Sequence, residues 1–227
     1  MAAIEASKTR DAGRSRQAIL DAAELLFAQR GFEGASMAHI GAGAGVSRGT
    51  PAYFFGSKEG LYAAVLERVD ARRDAALRPA FAPLVEWATS DPQATGRTLE
   101  QVLEEAVDGY LSFLYEQPSY VALIEREAID GGRRLAATSH HSTVIEDALR
   151  ALRRGAERHG LRSFDVRSVK LSLVSLCFFP LAHRATFLPA IGLDPDSPGF
   201  LRERRRQVLD VLLHLIRDPA APASPTR

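Results

Sequence analysis

Residues 36–61 read Ser36-Met-Ala-His-Ile-Gly-Ala-Gly-Ala-Gly-Val-Ser-Arg-Gly-Thr-Pro-Ala-Tyr-Phe-Phe-Gly-Ser-Lys-Glu-Gly-Leu61, and this stretch decides the fold. Ser36 offers a hydroxyl to the free N–H groups of a short helix over 36–44 whose apolar positions are Met37 and Ile40. Gly45 can take the left-handed conformation that stops this helix, with Val46 plugging the junction. Ser47 then caps a second helix, predicted over about 47–54. Gly56 and Ser57 end it, and Ser57 caps a third helix that begins at Lys58, at an exposed start where a phosphate can sit. Two short helices joined by a tight glycine turn form a helix-turn-helix, in which the first braces and the second enters a major groove. With Ser47 as the cap, Pro51 forfeits the first intrahelical hydrogen bond. Gly41 and Gly43 each cost the bracing helix roughly 0.8–1 kcal/mol against Ala, a cost that closer helix packing can offset.

Outward from this motif the period stays helical. Ile19, Ala22, Ala23, Leu26 and Phe27 recur at i, i+3, i+4, i+7 and i+8 and stop at Gly31. A helix from Lys58 is predicted to run to the neighbourhood of Pro79. Leu99, Val102, Leu103, Ala106, Val107, Tyr110, Leu111 and Leu114 make the cleanest stripe, stopped at Pro118. Further helices are predicted over about 119–130, 145–160, 165–191 and 197–218. In the last two, apolar residues point in most directions, so each must be buried on more than one side. A second copy of the chain would supply that cover, through Leu173, Cys177, Val208, Leu212 and Leu215; the alternative is a place at the middle of a monomeric bundle, which suits the first of the two helices better than the terminal one.

Composition agrees. The 227 residues include 36 Ala and 27 Leu against 30 Val, Ile and Thr together, which favours helices over strands. The expected architecture is all-α, with about nine helices: a flexible arm over 1–14, a three-helix domain over 15–66, a helical domain over 67–218 and a disordered tail over 219–227. One cysteine excludes a disulfide framework and suits a reducing cytosol. The longest near-apolar stretch, 171–182, is too short to span a bilayer, so a cytoplasmic protein with no membrane partner is expected. Net charge is +1, and residues 1–60 hold 7 basic and 6 acidic groups. Bulk electrostatics therefore announces no nucleic acid, and any such reading rests on where individual residues stand.

Three blocks carry a family resemblance: Ala18-Ile-Leu-Asp-Ala-Ala-Glu-Leu-Leu-Phe-Ala-Gln-Arg-Gly-Phe32, Ala44-Gly-Val-Ser-Arg-Gly-Thr50 and Tyr53-Phe-Phe-Gly-Ser-Lys-Glu-Gly-Leu61. In this order and spacing, residues 15–66 resemble the DNA-binding domain of the tetracycline-repressor (TetR) family of transcriptional regulators. The resemblance implies a dimer on a palindromic operator in double-stranded DNA, with Arg48, Gly49 and Thr50 near base edges. It puts Tyr53 and Phe54 in the groove or on the sugar-phosphate wall, Lys58 on a phosphate and Ser36 near the backbone. Lys8, Arg10, Arg14 and Arg16 are candidates to follow the DNA from the arm. Positions 51 and 52 hold Pro and Ala where the family more often shows Leu and Tyr, which removes one phosphate contact.

Beyond residue 66 the resemblance implies a ligand-binding and dimerisation domain. Residues 118–135 and 173–195 look more loosely like regulators related to the pyrimidine-utilisation repressor, without implying a particular ligand. In the family the cavity lies between the middle helices. The candidates for its lining are Tyr110, Phe113, Tyr120, Arg126, Ile129, Phe178, Phe179 and His183, around a small, largely apolar effector.

Other signals are weaker. Gly41-Ala-Gly-Ala-Gly45 has no strand before it, so a dinucleotide loop is excluded. His140, His141 and Glu146 read as a polar helix start rather than a metal site, and no nucleophile–base–orienter set can be assembled. No cofactor, metal or enzymatic activity is expected. The function expected is a repressor released from DNA by its effector. The alternatives are an activator of the same fold, or an all-α ligand carrier or enzyme that keeps the motif as scaffold.

Overall fold

The structure is a computed structural model that describes residues 2–91, 94–137 and 143–217, with side chains from residue 11 onward. The described residues form eleven helices and no strand. They fall into two compact units, one of residues 1–71 and 118–141, the other of residues 72–117 and 142–227. The expected boundary near residue 66 falls inside α4, and residues 118–137 group with the N-terminal unit.

The first unit holds α1 (Ala2–Gly34), α2 (Met37–Gly43), α3 (Thr50–Phe55), the first half of α4 (Lys58–Thr89), α6 (Pro118–Ile129) and α7 (Arg133–Ala137). The segment expected as a flexible arm is the start of α1; it is rich in Ala, Glu, Lys and Arg, and holds no proline. Gly31, at φ 70°, breaks α1 near its end and turns Phe32 back into the core. There Phe27, Phe32 and Tyr62 pack as a ring cluster, with Phe27 and Tyr62 edge-on at 4.7 Å.

α6 lies on α1 because both have something to satisfy. The last carbonyls of an α-helix lack intrahelical donors, and Arg126 donates to those of Ala28 (2.7 Å) and Gln29 (2.5 Å) just before the Gly31 break. Tyr120, Leu123 and Glu127 share the buried face of α6. Arg68 binds Glu24 at 2.5 Å and Asp21 at 2.6 Å, and the Ser119 hydroxyl donates to Glu24 at 2.6 Å.

The second unit holds the rest of α4, α5 (Leu99–Glu116), α8 (Val144–Gly155), α9 (Val166–Ala182), α10 (Phe187–Ala190) and α11 (Phe200–Ile216). α4 runs ten residues past Pro79 and contains Pro83 as well. α5 begins in a capping box between Thr98 and Gln101. α5 passes close to α4 where Gly109 meets Ala80: a Cβ on Gly109 would stand 2.3 Å from that of Ala80. The single helix expected over 165–191 is two, since α9 ends at His183 and α10 follows after a turn. The tail 219–227 lies outside the described residues.

Leu173, Cys177, Val208 and Leu212 are buried within this unit, so they are its own core rather than a surface for a second copy. Leu215 is half-buried, and Leu171, Phe179 and Val211 are exposed apolar residues on these two helices. A helix that is apolar all round has one arc in its own bundle and another left over, and the sequence alone does not say which is which.

Candidate nucleic-acid interface

Ser36 caps α2 as expected, its hydroxyl accepting the N–H of His39 at 3.2 Å. The turn closes where the Val46 N–H reaches the Gly41 carbonyl at 3.0 Å, with Gly45 at φ 66°. Gly41 earns its place by contact: a Cβ there would lie 3.3 Å from the Ser47 carbonyl and 3.5 Å from the Pro51 ring. For Gly43 the space is ordinary, so its helix penalty has no matching gain.

α3 starts later than expected. Gly49, not Ser47, is the cap, and Pro51 occupies the second helical position, buried against α2. The reason is the missing proline N–H. A helix capped at Ser47 would need that N–H for its first bond, whereas at the second position it would be unpaired in any residue. Ser47 instead turns the chain: its carbonyl accepts the Thr50 N–H at 3.0 Å, and its hydroxyl bonds that of Thr50 at 2.7 Å.

With Pro51 inward, the opposite face is open. Arg48, Gly49, Ala52 and Tyr53 are exposed, Tyr53 by 84%, and Thr50 and Phe54 are half-buried. Phe54 lies edge-on to Tyr53 at 5.2 Å, and Phe55 turns toward α1, where the Arg16 guanidinium stands 5.1 Å over its ring. Arg14 is exposed and pairs with Asp11. The side chains of Lys8 and Arg10 lie outside the described residues.

Ser57 caps α4 by accepting the Gly60 N–H at 3.1 Å. The Lys58 ammonium sits 4.4 Å over the Phe32 ring and 3.4 Å from the Glu33 carbonyl, so it is held beside the helix start rather than extended. Next to it, hydrogen bonds from the backbone N–H and from Ser57 hold the exposed Glu59 carboxyl below its ordinary pKa.

Sequence reasoning missed what steadies this face. Glu127 is fully buried; it accepts the Tyr62 hydroxyl at 2.9 Å and the Leu135 N–H at 2.9 Å. Arg134 lies 4.0 Å over the Phe32 ring and pairs with Glu33. The signal available was a carboxylate on an apolar stripe, at i+7 from Tyr120.

This chain matches the family described as "Bacterial regulatory proteins, tetR family" over residues 19–65 and "Tetracyclin repressor-like, C-terminal domain" over residues 100–212. The chain belongs to the TetR family. It is 27% identical to the HTH-type transcriptional repressor NicS of Pseudomonas putida over 195 residues, 82% of this chain and 85% of that one. Over 59 residues, 26% of this chain and 31% of that one, it is 46% identical to the HTH-type transcriptional repressor AcnR of Corynebacterium glutamicum. Its fold resembles that of a TetR-family regulator of Mesorhizobium loti, with a TM-score of 0.66, 17% identity, and 91% and 98% of the two chains covered. The protein is thus a TetR-family DNA-binding regulator.

The lining residues expected for an effector cavity in this TetR-family chain are divided between the two units. Tyr120, Arg126 and Ile129 belong to the first unit, where Tyr120 is core, Arg126 closes α1 and Ile129 is 82% exposed. Tyr110 and Phe113 are core of the second unit, and Phe178 and His183 are half-buried. The void amid Phe81, Leu103, Val107, Leu152 and Leu212 is about 10 Å³, room for no more than one water. Among the described residues no three His, Cys, Asp or Glu side chains could hold a metal. His140 and His141 lie outside the described residues, and Glu146 pairs with Arg150 and Lys170. No helix among the described residues is long and apolar enough to cross a membrane.

Proposed function

We propose that this regulator is a repressor that binds a palindromic operator as a homodimer and leaves it when a small effector binds. The observation that supports this most directly is the open face of α3 at the end of a capped, closely packed α2 and turn. Arg48 is suited to donate two hydrogen bonds to guanine O6 and N7. Thr50 and Tyr53 offer a methyl, a ring and two hydroxyls to a thymine methyl or a phosphate. Ser36, Lys58, Arg14 and Arg16 carry backbone contacts, which position the protein without reading sequence. Both curated relatives are named as repressors, which favours that sign of regulation over activation.

The dimer forms on the outer faces of α9 and α11, through Leu171, Val174, Phe178, Val211 and Leu215. These residues stand at helical spacing and remain exposed or half-buried. Two α3 helices then address successive major grooves, roughly 34–36 Å apart. An effector that prefers a dimer of different spacing weakens operator binding by its differential affinity for the two states. α4, which supplies residues to both units, is the lever.

The test is a gel-shift titration of the chain against DNA upstream of its own gene, with Arg48→Ala and Thr50→Ala in parallel. Sequence-selective binding by the wild type, lost in the double variant, supports the reading. Equal binding to scrambled DNA refutes it.

A further inference from the structure

A cleft of about 490 Å³ opens in the second unit where the end of α9, α10 and the start of α11 meet. Its size is that of a small-molecule site. The sequence reading placed only Phe179 of its lining. The floor is apolar: Phe179 and Phe187 meet edge-on at 5.3 Å, and Leu188 and Phe200 are buried behind them. Ile191 and Leu193 stay exposed at the rim. Two arginines, Arg202 and Arg204, and two carboxylates, Asp194 and Glu203, line the same cleft.

Arg204 is unusual. Pro180, four residues after Leu176 in α9, has no N–H to give the Leu176 carbonyl. The Arg204 Nε and Nη2 groups donate to that carbonyl instead, at 3.0 and 2.7 Å, and Nη1 donates to Gln207 at 3.1 Å. Both acceptors are neutral. Among the described residues no carboxylate stands within ion-pair reach of Arg204 or Arg202, since Glu203 pairs with Arg206, and Asp194 Oδ1 accepts the Asp196 N–H. Half-burial of Arg204 lowers its pKa, with no neighbouring carboxylate to oppose the effect. A half-buried guanidinium keeps its charge at any ordinary pH and uses three of its five N–H donors here. The cleft therefore joins an apolar floor to a half-buried guanidinium that makes no ion pair among the described residues, with the Asp194 and Glu203 carboxylates elsewhere in the lining. Gly199 adds to this by capping α11 with no side-chain acceptor for the first-turn N–H groups.

We infer that this cleft is the effector site, and that it takes a small apolar or aromatic monocarboxylate, with the acid group on Arg204 and the body on Phe179 and Phe187. The inference rests on the reading of the chain as an effector-released regulator. It moves the effector from the filled centre of the bundle to the junction of α9, α10 and α11.

The probes are 2-naphthoate and its uncharged isostere 2-naphthamide, titrated into the full chain by calorimetry. The expected result is one 2-naphthoate per chain, bound at least about tenfold tighter than the amide, a gap of 1.4 kcal/mol. Arg204→Gln should erase that preference. Because this variant also uncovers the Leu176 carbonyl, Phe187→Asp serves beside it, placing a like charge at an exposed position and weakening naphthoate by tenfold or more. Equal affinities, no saturable binding in the millimolar range, or full binding by Phe187→Asp would each overturn the assignment. So would conversion of a dimer to monomers by Phe187→Asp, which would make the cleft a seat for the second copy. Operator release is measured separately: naphthoate that binds the cleft and leaves DNA binding intact sinks the regulatory reading while the site stands.

Discussion

The phenol of Tyr62 and the carboxylate of Glu127, 65 residues apart in sequence, meet at 2.9 Å inside the N-terminal unit. Burial first, and then that carboxylate, push the phenol well above its ordinary pKa, so it remains a donor. The other Glu127 oxygen accepts the Leu135 N–H, so one side chain holds α4, α6 and α7 together. Tyr62→Phe leaves one buried oxygen short of a donor and should lower stability by about 1–3 kcal/mol. Glu127→Ala strands two donors and should cost more. Thermal unfolding followed by circular dichroism measures both; an unchanged midpoint in Glu127→Ala would contradict this account.

Arg48 and Lys58 should fail differently. Arg48→Ala should remove about 1–3 kcal/mol of discrimination at a guanine and relax specificity at that position. Lys58→Gln should weaken all sequences alike and reduce the salt dependence by about one counterion. Binding isotherms on wild-type and single-substituted operators, at several salt concentrations, separate the two. A salt-slope change from Arg48→Ala without loss of specificity would reverse the assignment.

The turn between α2 and α3 depends on Gly45, whose φ of 66° disfavours a side chain. Gly45→Ala should destabilise the unit by roughly 1–2 kcal/mol, and its effect on stability should exceed that of Gly49→Ala. At Gly49 φ is −85° and a Cβ meets open space. Comparing the two alanine variants by melting tests the difference.

Acid should weaken the second unit through His159. Its ring stacks on Trp87 at 3.9 Å, and burial, followed by the nearby Arg158 charge, lowers its pKa. The unfolded chain then binds a proton more readily than the folded one. The contribution of this group is fully present above the ordinary value of about 6.5 and falls away as pH drops toward the folded value. His159→Gln should flatten this part of the stability profile. The single tryptophan reports it, since its fluorescence should change as the stacked imidazole charges.

How much of this could be read from the chain alone follows from the range of each interaction. Ser36, Gly45 and Ser57 act on neighbours three to five residues away, and their roles as cap, turn and cap were legible. Pro51 carried the information that α3 starts late, but Ser47 offered a competing local cap, and only the Gly41–Pro51 contact decides between them. The packing of α6 on α1 was not legible because Arg126 meets its partners 97 and 98 residues away. A pattern of period 3.6 says that Leu173 and Leu212 are buried and not by what. The Arg204–Leu176 pairing was hidden for the same reason, though Pro180 marked the carbonyl that would need it.

α3 has six residues, a rod of about 9 Å at 1.5 Å per residue, while duplex DNA advances 3.4 Å per base pair. One copy can therefore touch the edges of only about three consecutive pairs, too few to pick a single address in a genome. In the dimer proposed above, selectivity comes from multiplying two such short readings at a fixed separation and from how readily the unread spacer between them bends or narrows. Point changes in that spacer should matter nearly as much as changes beneath the helices themselves.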